Sequence, residues 1–192
     1  PRSTPKPSSA ASDVYKRQHD NSYTTHYDTA NFGLRHFSKK IKQGQFKQKL
    51  SCDFNLDDST LIYDGNTVPV PDSVQTIFTL LARITIDPLE YIDTKWFLMD
   101  HEGCSYSGRF LWSDTVTVKA MDKNILCDYF RLDLIPNEDN ECLPEKSDYF
   151  MKNIVSENVV RQLWVEKNNN KRIIKAAAKV YGLTLEAIIQ DG

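Results

Sequence analysis

The sequence predicts a mainly β protein. A curved antiparallel sheet, a half-barrel or open-barrel meander, is expected to wrap one amphipathic helix at about residues 72–84. Three observations predict it. Apolar and polar residues alternate over most of the chain, the period-2 signature of half-buried strands. Turn-forming pairs such as Asp64-Gly65 and Ser113-Asp114 punctuate the alternation at short intervals, as in a meander. One stretch breaks the pattern: Val74, Ile77, Phe78 and Leu81 fall at i, i+3, i+4 and i+7 and make a single apolar stripe of helical period.

Taken in order, Asn31 to Gln43 is mixed, with Phe32, Leu34, Phe37 and Ile41 set among lysines and Arg35. It reads as a first strand pair or a poorly ordered lead-in. Phe46, Leu50, Cys52, Phe54 and Leu56 then alternate with polar residues as a strand with one wet face. Leu61-Ile62-Tyr63 leads into the Asp64-Gly65 turn. Pro69 and Pro71 hold the next residues extended, Asp72 is placed to cap the helix with Gln75 completing a capping-box-like start, and Asp87-Pro88 closes it. Strands follow over Thr94–Asp100, Cys104–Trp112 and Thr115–Ala120, and then one lined by Leu126, Phe130, Leu132 and Leu134. Both faces of the first of these are apolar, so its inward side stays open. An acidic run at 136–146 reads as a solvated loop, because it has neither the spacing nor the glycine of a calcium-binding loop. Val159–Glu166, Ile174–Val180 and Leu183–Ile189 complete the strands.

A chain of 192 residues suits one β-rich domain over 19–192. Residues 1–18 look like a non-native, adaptor-like tail without structure and are set aside. That tail carries Arg2, Lys6, Lys16 and Arg17 against Asp13, so a formal net charge of −2 leaves −5 on the rest. So acidic a body, read as having no basic stripe, argues against a nucleic-acid partner. No apolar run is long enough to span a bilayer, and contact with a membrane is expected to be peripheral at most. Cys52, Cys104, Cys127 and Cys142 show no CxxC pairing and no zinc spacing; disulfides are compatible with an oxidising compartment, their pairing open.

The chain offers little catalytic chemistry. Asp100-His101-Glu102 invites an acid–base role, but strand neighbours point to opposite faces. No nucleophile elbow, phosphate loop, dinucleotide fingerprint or HExxH is present, so no catalytic residue, cofactor or metal is expected. The aromatic residues are the better lead. Phe54, Ile77, Phe78, Leu81, Trp96, Tyr106, Phe110 and Trp112 form a candidate apolar wall for a ligand. Filling the core is the commoner role for such side chains.

Tyr63-Asp64-Gly65 is followed by Pro69-Val70-Pro71 and a helix, and later Leu163-Trp164-Val165 precedes Lys171-Arg172-Ile173 and Gly182-Leu183-Thr184-Leu185. That order of signals resembles a bacterial envelope family catalogued as the domain of unknown function numbered 3108. The similarity spans most of residues 45–190, with Thr76 and Ala82 departing from an acid and an aromatic of the pattern. The resemblance implies a periplasmic or cell-envelope location and an architecture similar to the half-barrel of outer-membrane lipoprotein carriers; it brings no catalytic residues. The function expected is therefore non-enzymatic: holding a lipid, an acyl chain or a lipoprotein in an apolar hollow. The alternative is a structural or adaptor protein with a solid core, acting through an exposed sheet edge or the acidic loop, and a hydrolase using Asp100 or His101 is a distant third.

Overall fold

A computed structural model describes residues 19–43, 45–138, 142–143, 148–168, 171–180 and 182–190. The tail at 1–18 and much of the acidic run, 139–141 and 144–147, lie outside the described residues.

The chain forms two open antiparallel meanders. Strands β1 (His19–Tyr27), β2 (Leu34–Gln43), β3 (Phe46–Asn55), β4 (Thr60–Tyr63) and β5 (Asn66–Pro69) pair in sequence order. Strands β6 (Trp96–His101), β7 (Cys104–Ala120), β8 (Lys123–Pro136), β9 (Val159–Glu166), β10 (Ile173–Val180) and β11 (Leu183–Ile188) make the second sheet, again each with its neighbour. The expected mainly β class with a packed helix is present, divided between two sheets that do not close into a barrel. Helices α1 (Ile77–Ile86) and α2 (Leu89–Ile92) connect the sheets, and α3 (Tyr149–Ile154) lies between β8 and β9. Neither short helix has an apolar stripe long enough to announce itself in the sequence.

Local rules account for many of the boundaries. Asp64 and Gly65 both have positive φ, 44° and 89°, the two-residue hairpin conformation that Asp-Gly accommodates and most other pairs resist. Asp87 is extended because Pro88 follows it, and it closes α1 through its backbone N–H to the Arg83 carbonyl at 2.9 Å.

The helix start is a correction. Asp72 does not cap it; Thr76 does, in a reciprocal box with Thr79. The reason is tertiary. The Val74 carbonyl accepts from the Leu34 N–H of β2 at 2.7 Å. Gln75 donates to Leu98 at 3.0 Å and accepts from Asp100 at 2.8 Å, both in β6. Residues 74–75 therefore run extended and stitch the two sheets together, and no helix can begin at 72. The stripe turns accordingly: Ile77, Leu80 and Ile84 are buried, whereas Phe78 and Leu81 are half-buried. Gly108 of β7 makes room for this face, since a β-carbon there would lie 2.8 Å from a Leu80 methyl.

The turn expected at Ser113-Asp114 is instead a bulge inside one 17-residue strand. Trp112 opposes Phe130 and Asp114 opposes Tyr129, leaving Ser113 extra. An extra residue transfers the alternation to the other face. Phe110 and Phe130 belong to the main core, while Ala120, Ile125 and Cys127 join Ile174 in a small second cluster. Leu126, expected inside with Phe130, Leu132 and Leu134, shares their face of β8 but lies beyond the end of the main core and is 51% exposed.

Both sheets, α1 and α3 share the main core. Leu34, Phe37, Leu61 and Tyr63 from the first sheet meet Ile77, Leu80 and Ile84 of α1 and Met99, Phe110 and Leu132 of the second. Arg83, though charged, is buried in this layer. Its guanidinium lies over the rings of Phe32 and Phe97 and pairs with Asp87, while its Nε donates to Gln75.

Candidate functional site

The eight residues of the candidate wall do not converge on one hollow. Ile77 and Phe110 are buried in the main core, and Phe54, Phe78, Leu81 and Tyr106 pack half-buried against it. Trp96 and Trp112 are about two-fifths exposed, at 41% and 40%. Trp96 lies beneath the Arg109 guanidinium, and the Trp112 indole N–H donates to Asp128 at 3.2 Å. Two concavities, of about 460 and 270 Å³, lie along β1–β3 and include none of these eight side chains.

Instead the tertiary structure assembles a buried polar network at the β6–β7 turn. Lys39 projects from β2 on the same face as Phe37 and Ile41, and its side chain is fully buried. Its Nζ lies 2.6 Å from Glu102 and 3.4 Å from Asp148. Asp148 is the N-cap of α3: one carboxylate oxygen accepts from the Phe150 and Met151 amides and from the Tyr23 hydroxyl. Burial and the Asp148 charge push the Tyr23 phenol well above its ordinary pKa. Lys39 thus ties β2, the β6–β7 turn and α3 together, and Tyr23 joins β1 to them through Asp148.

Asp100 and His101 are the last two residues of β6, immediately before this turn. The Tyr63 hydroxyl donates a short hydrogen bond to Asp100 Oδ2, which also accepts from the Gly103 amide at 3.3 Å. Asp100 Oδ1 is buried with no partner among the described residues. Burial raises the Asp100 pKa to about 6, the Tyr63 and Gly103 hydrogen bonds offset part of that, and the Glu102 charge adds to it. The adjoining Cys52 thiol is pushed up to about 12, chiefly by burial. His101 faces away, edge-on to Tyr106, with its Nε2 buried and unpartnered among the described residues. Burial and the nearby Lys39 charge lower its pKa to about 4.

The shift at Asp100 has a sign that can be tested. A carboxyl whose folded-state pKa lies above its unfolded value of 3.8 contributes stability that is full below 3.8 and lost as pH rises through about 6. Asp100→Asn is neutral throughout and keeps an oxygen for Tyr63 and Gly103. The stability of the variant relative to the parent is therefore expected to climb between pH 4 and 7, by up to roughly 3 kcal/mol. Urea unfolding of both proteins across that range checks it. His101 titrates in both and cancels in the difference. A gap unchanged between pH 4 and 7 would show that Asp100 titrates as an ordinary carboxyl.

Two further features stand out. Cys104 and Cys142 form a disulfide that holds the chain after β8 against the β6–β7 turn, and Cys52 and Cys127 are free and buried. The edge strand β11 is exposed along its whole length, with Leu183 at 74% and Leu185 at 67%, and nothing among the described residues pairs with its outer side. No three His, Cys, Asp or Glu side chains gather as a metal site among the described residues, and no helix there is long and apolar enough to cross a membrane.

Sequence reasoning missed Lys39, Tyr63 and Asp148. A signal existed for the first: Phe37, Lys39 and Ile41 share one parity, so a charge stood in an apolar register. The expectation of no basic stripe is also corrected. The β2–β3 register sets Lys40 opposite Lys49 and Lys42 opposite Lys47, a local positive patch that the overall acidic balance conceals.

Comparison with known proteins finds no matching family model, no matching curated protein and no matching solved structure.

Proposed function

We propose that the protein is a non-enzymatic adaptor of the bacterial periplasm or cell envelope that binds a protein partner by strand addition at β11. The observation that carries this reading is the bare, apolar edge itself. Its outer side, open among the described residues, offers a row of backbone donors and acceptors, and Leu183 and Leu185 supply solvent-exposed apolar anchors. Natural sheets blunt such edges with charge or proline unless they are used; β11 carries one charged residue, Glu186, and no proline. The Cys104–Cys142 disulfide supports an oxidising compartment, in line with the resemblance to the envelope family. A non-catalytic role is supported by the burial of Asp100 and His101 and by their separate surroundings. An apolar carrier draws less support, because the wall it needs is divided between the packed core and the outer surface.

A photo-crosslinking residue at Leu185, in cells exporting the protein, should yield one discrete adduct. A crosslinker at exposed Lys119, on the β7–β8 hairpin, should not, and Leu183→Lys should abolish the adduct. Equal labelling at both sites would sink the adaptor reading. A reproducible acyl-bearing mass in native mass spectrometry, lost on Phe78→Asp, would favour the carrier instead.

A further inference from the structure

A second surface, separate from β11, lies at the free end of the β2–β3 hairpin. Alternate residues of a strand share a face, so Lys40, Lys42, Lys47 and Lys49 form a two-by-two array, about 5 Å apart across the strands and about 7 Å along them. All four are exposed, and none forms an ion pair or hydrogen bond among the described residues. The single acid in the same two rows is Asp20, opposite Lys42 on β1, so six positions carry four cations and one anion. Like charges directly opposite one another destabilise a sheet. Two such pairs stand side by side here, with Asp20 beside Lys42 and Asp64 near Lys49 too few to balance them.

The surroundings indicate what supplies the rest of the counter-charge. The lysines border the 460 Å³ concavity, and Lys40 and Lys49 also border its 270 Å³ neighbour, where Ser22, Thr24, Ser38 and Ser51 take part in the lining beside one acid, Asp64. Ammonium groups beside serine and threonine suit phosphate esters. Because β4 pairs only with Cys52–Asn55, the hairpin end runs on past it. At that end Phe46, on the opposite face of β3 from Lys47, is 49% exposed. Asp53 and the Asp57-Asp58 turn lie at the opposite end of β3. Four cations at this end against the one acid in their rows, Asp20, together with an exposed aromatic ring, fit a charged bilayer met end-on.

We infer that the β2–β3 hairpin docks on an anionic phospholipid surface, the four lysines meeting headgroup phosphates and Phe46 entering the interface. Each lysine near such a surface contributes roughly a fivefold gain in partitioning. Sedimentation of the full chain with vesicles of phosphatidylglycerol and phosphatidylcholine, against phosphatidylcholine alone, tests this. Binding is expected on the anionic vesicles only, with release on raising salt from roughly 0.1 to 1 M. The Lys42→Glu/Lys47→Glu variant should lose at least about 25-fold in partitioning, and Phe46→Ser should weaken it further. These positions are exposed and like charges are removed, so the variant's thermal midpoint should equal or exceed the parent's, which separates lost binding from lost fold. Leu185→Lys should sediment like the parent, keeping this test apart from that of β11. Equal sedimentation with neutral vesicles, no sedimentation at all, or lysine-dependent binding of pyrophosphate or duplex DNA without vesicle binding would each overturn the inference.

Discussion

Lys39→Met is expected to cost about 3–5 kcal/mol of stability at neutral pH, among the largest effects of any single substitution in this protein. The change nearly preserves side-chain volume, so packing is not the cause. It removes a cation 2.6 Å from Glu102 and 3.4 Å from Asp148, whose side chains are 5% and 0% exposed, and leaves both carboxylates buried without it. Breaking a buried ion cluster is costly because the remaining charges have already given up their water and now lose the attraction that offset that loss. Replacing the whole cluster with neutral groups removes that penalty. The Lys39→Met/Glu102→Gln/Asp148→Asn variant should therefore recover most of the loss, since asparagine also caps helices and can still accept from the Phe150 and Met151 amides. Urea unfolding of the parent, the single and the triple variant measures both steps. If the single variant unfolds at the parent's midpoint, Lys39 is not holding these elements together.

Reducing the Cys104–Cys142 disulfide, or replacing both cysteines with serine, should lower stability by about 4 kcal/mol, the chain-entropy value for a 38-residue closure. The effect should be focused on the β6–β7 turn. There Leu143 packs so closely over Gly103 that an added β-carbon would lie 2.5 Å from a Leu143 methyl, and Gly103 has a φ of +88° that other residues resist. Loss of the bridge frees Leu143 and opens the turn that carries Glu102. Guanidinium unfolding with and without reductant checks the magnitude, and amide exchange at residues 100–105 checks the place. A midpoint indifferent to reductant would show that the bridge adds nothing to the fold. It would also remove the main physical support for an oxidising compartment.

Legibility varied with the range of the interaction that decided each feature. The Asp64-Gly65 hairpin and the Asp87-Pro88 stop could be read directly, because their conformations are set by two adjacent residues. Strand existence was equally plain at β3, β8 and β9, where alternation is strong. The start of α1 was not. Asp72 and Thr76 are comparable caps by local chemistry, and the choice fell to hydrogen bonds from the Leu34 and Asp100 amides and to the Leu98 carbonyl, which take up the backbone of residues 74–75. The bulge at Ser113 was hidden for a related reason: its neighbours alternate properly on both sides, and only the pairing with Phe130 and Tyr129 shows that the two halves face opposite ways.

The sequence by itself determined the class of this protein, its meander order, the presence of one central helix and the poverty of catalytic motifs. All of these follow from periodicity and turn chemistry, which are local. The tertiary structure alone decided which charges are buried, which lysines stand together and which aromatic residues meet. Lys39 reaches Asp148 across 109 positions of chain. Lys40 and Lys49 become neighbours only through hairpin register. Trp112 and Phe110, alike in the sequence and on one strand, differ because the core ends between them, leaving one 40% exposed and the other fully buried. Burial and charge pairing depend on what the rest of the chain brings alongside, and no local pattern records that.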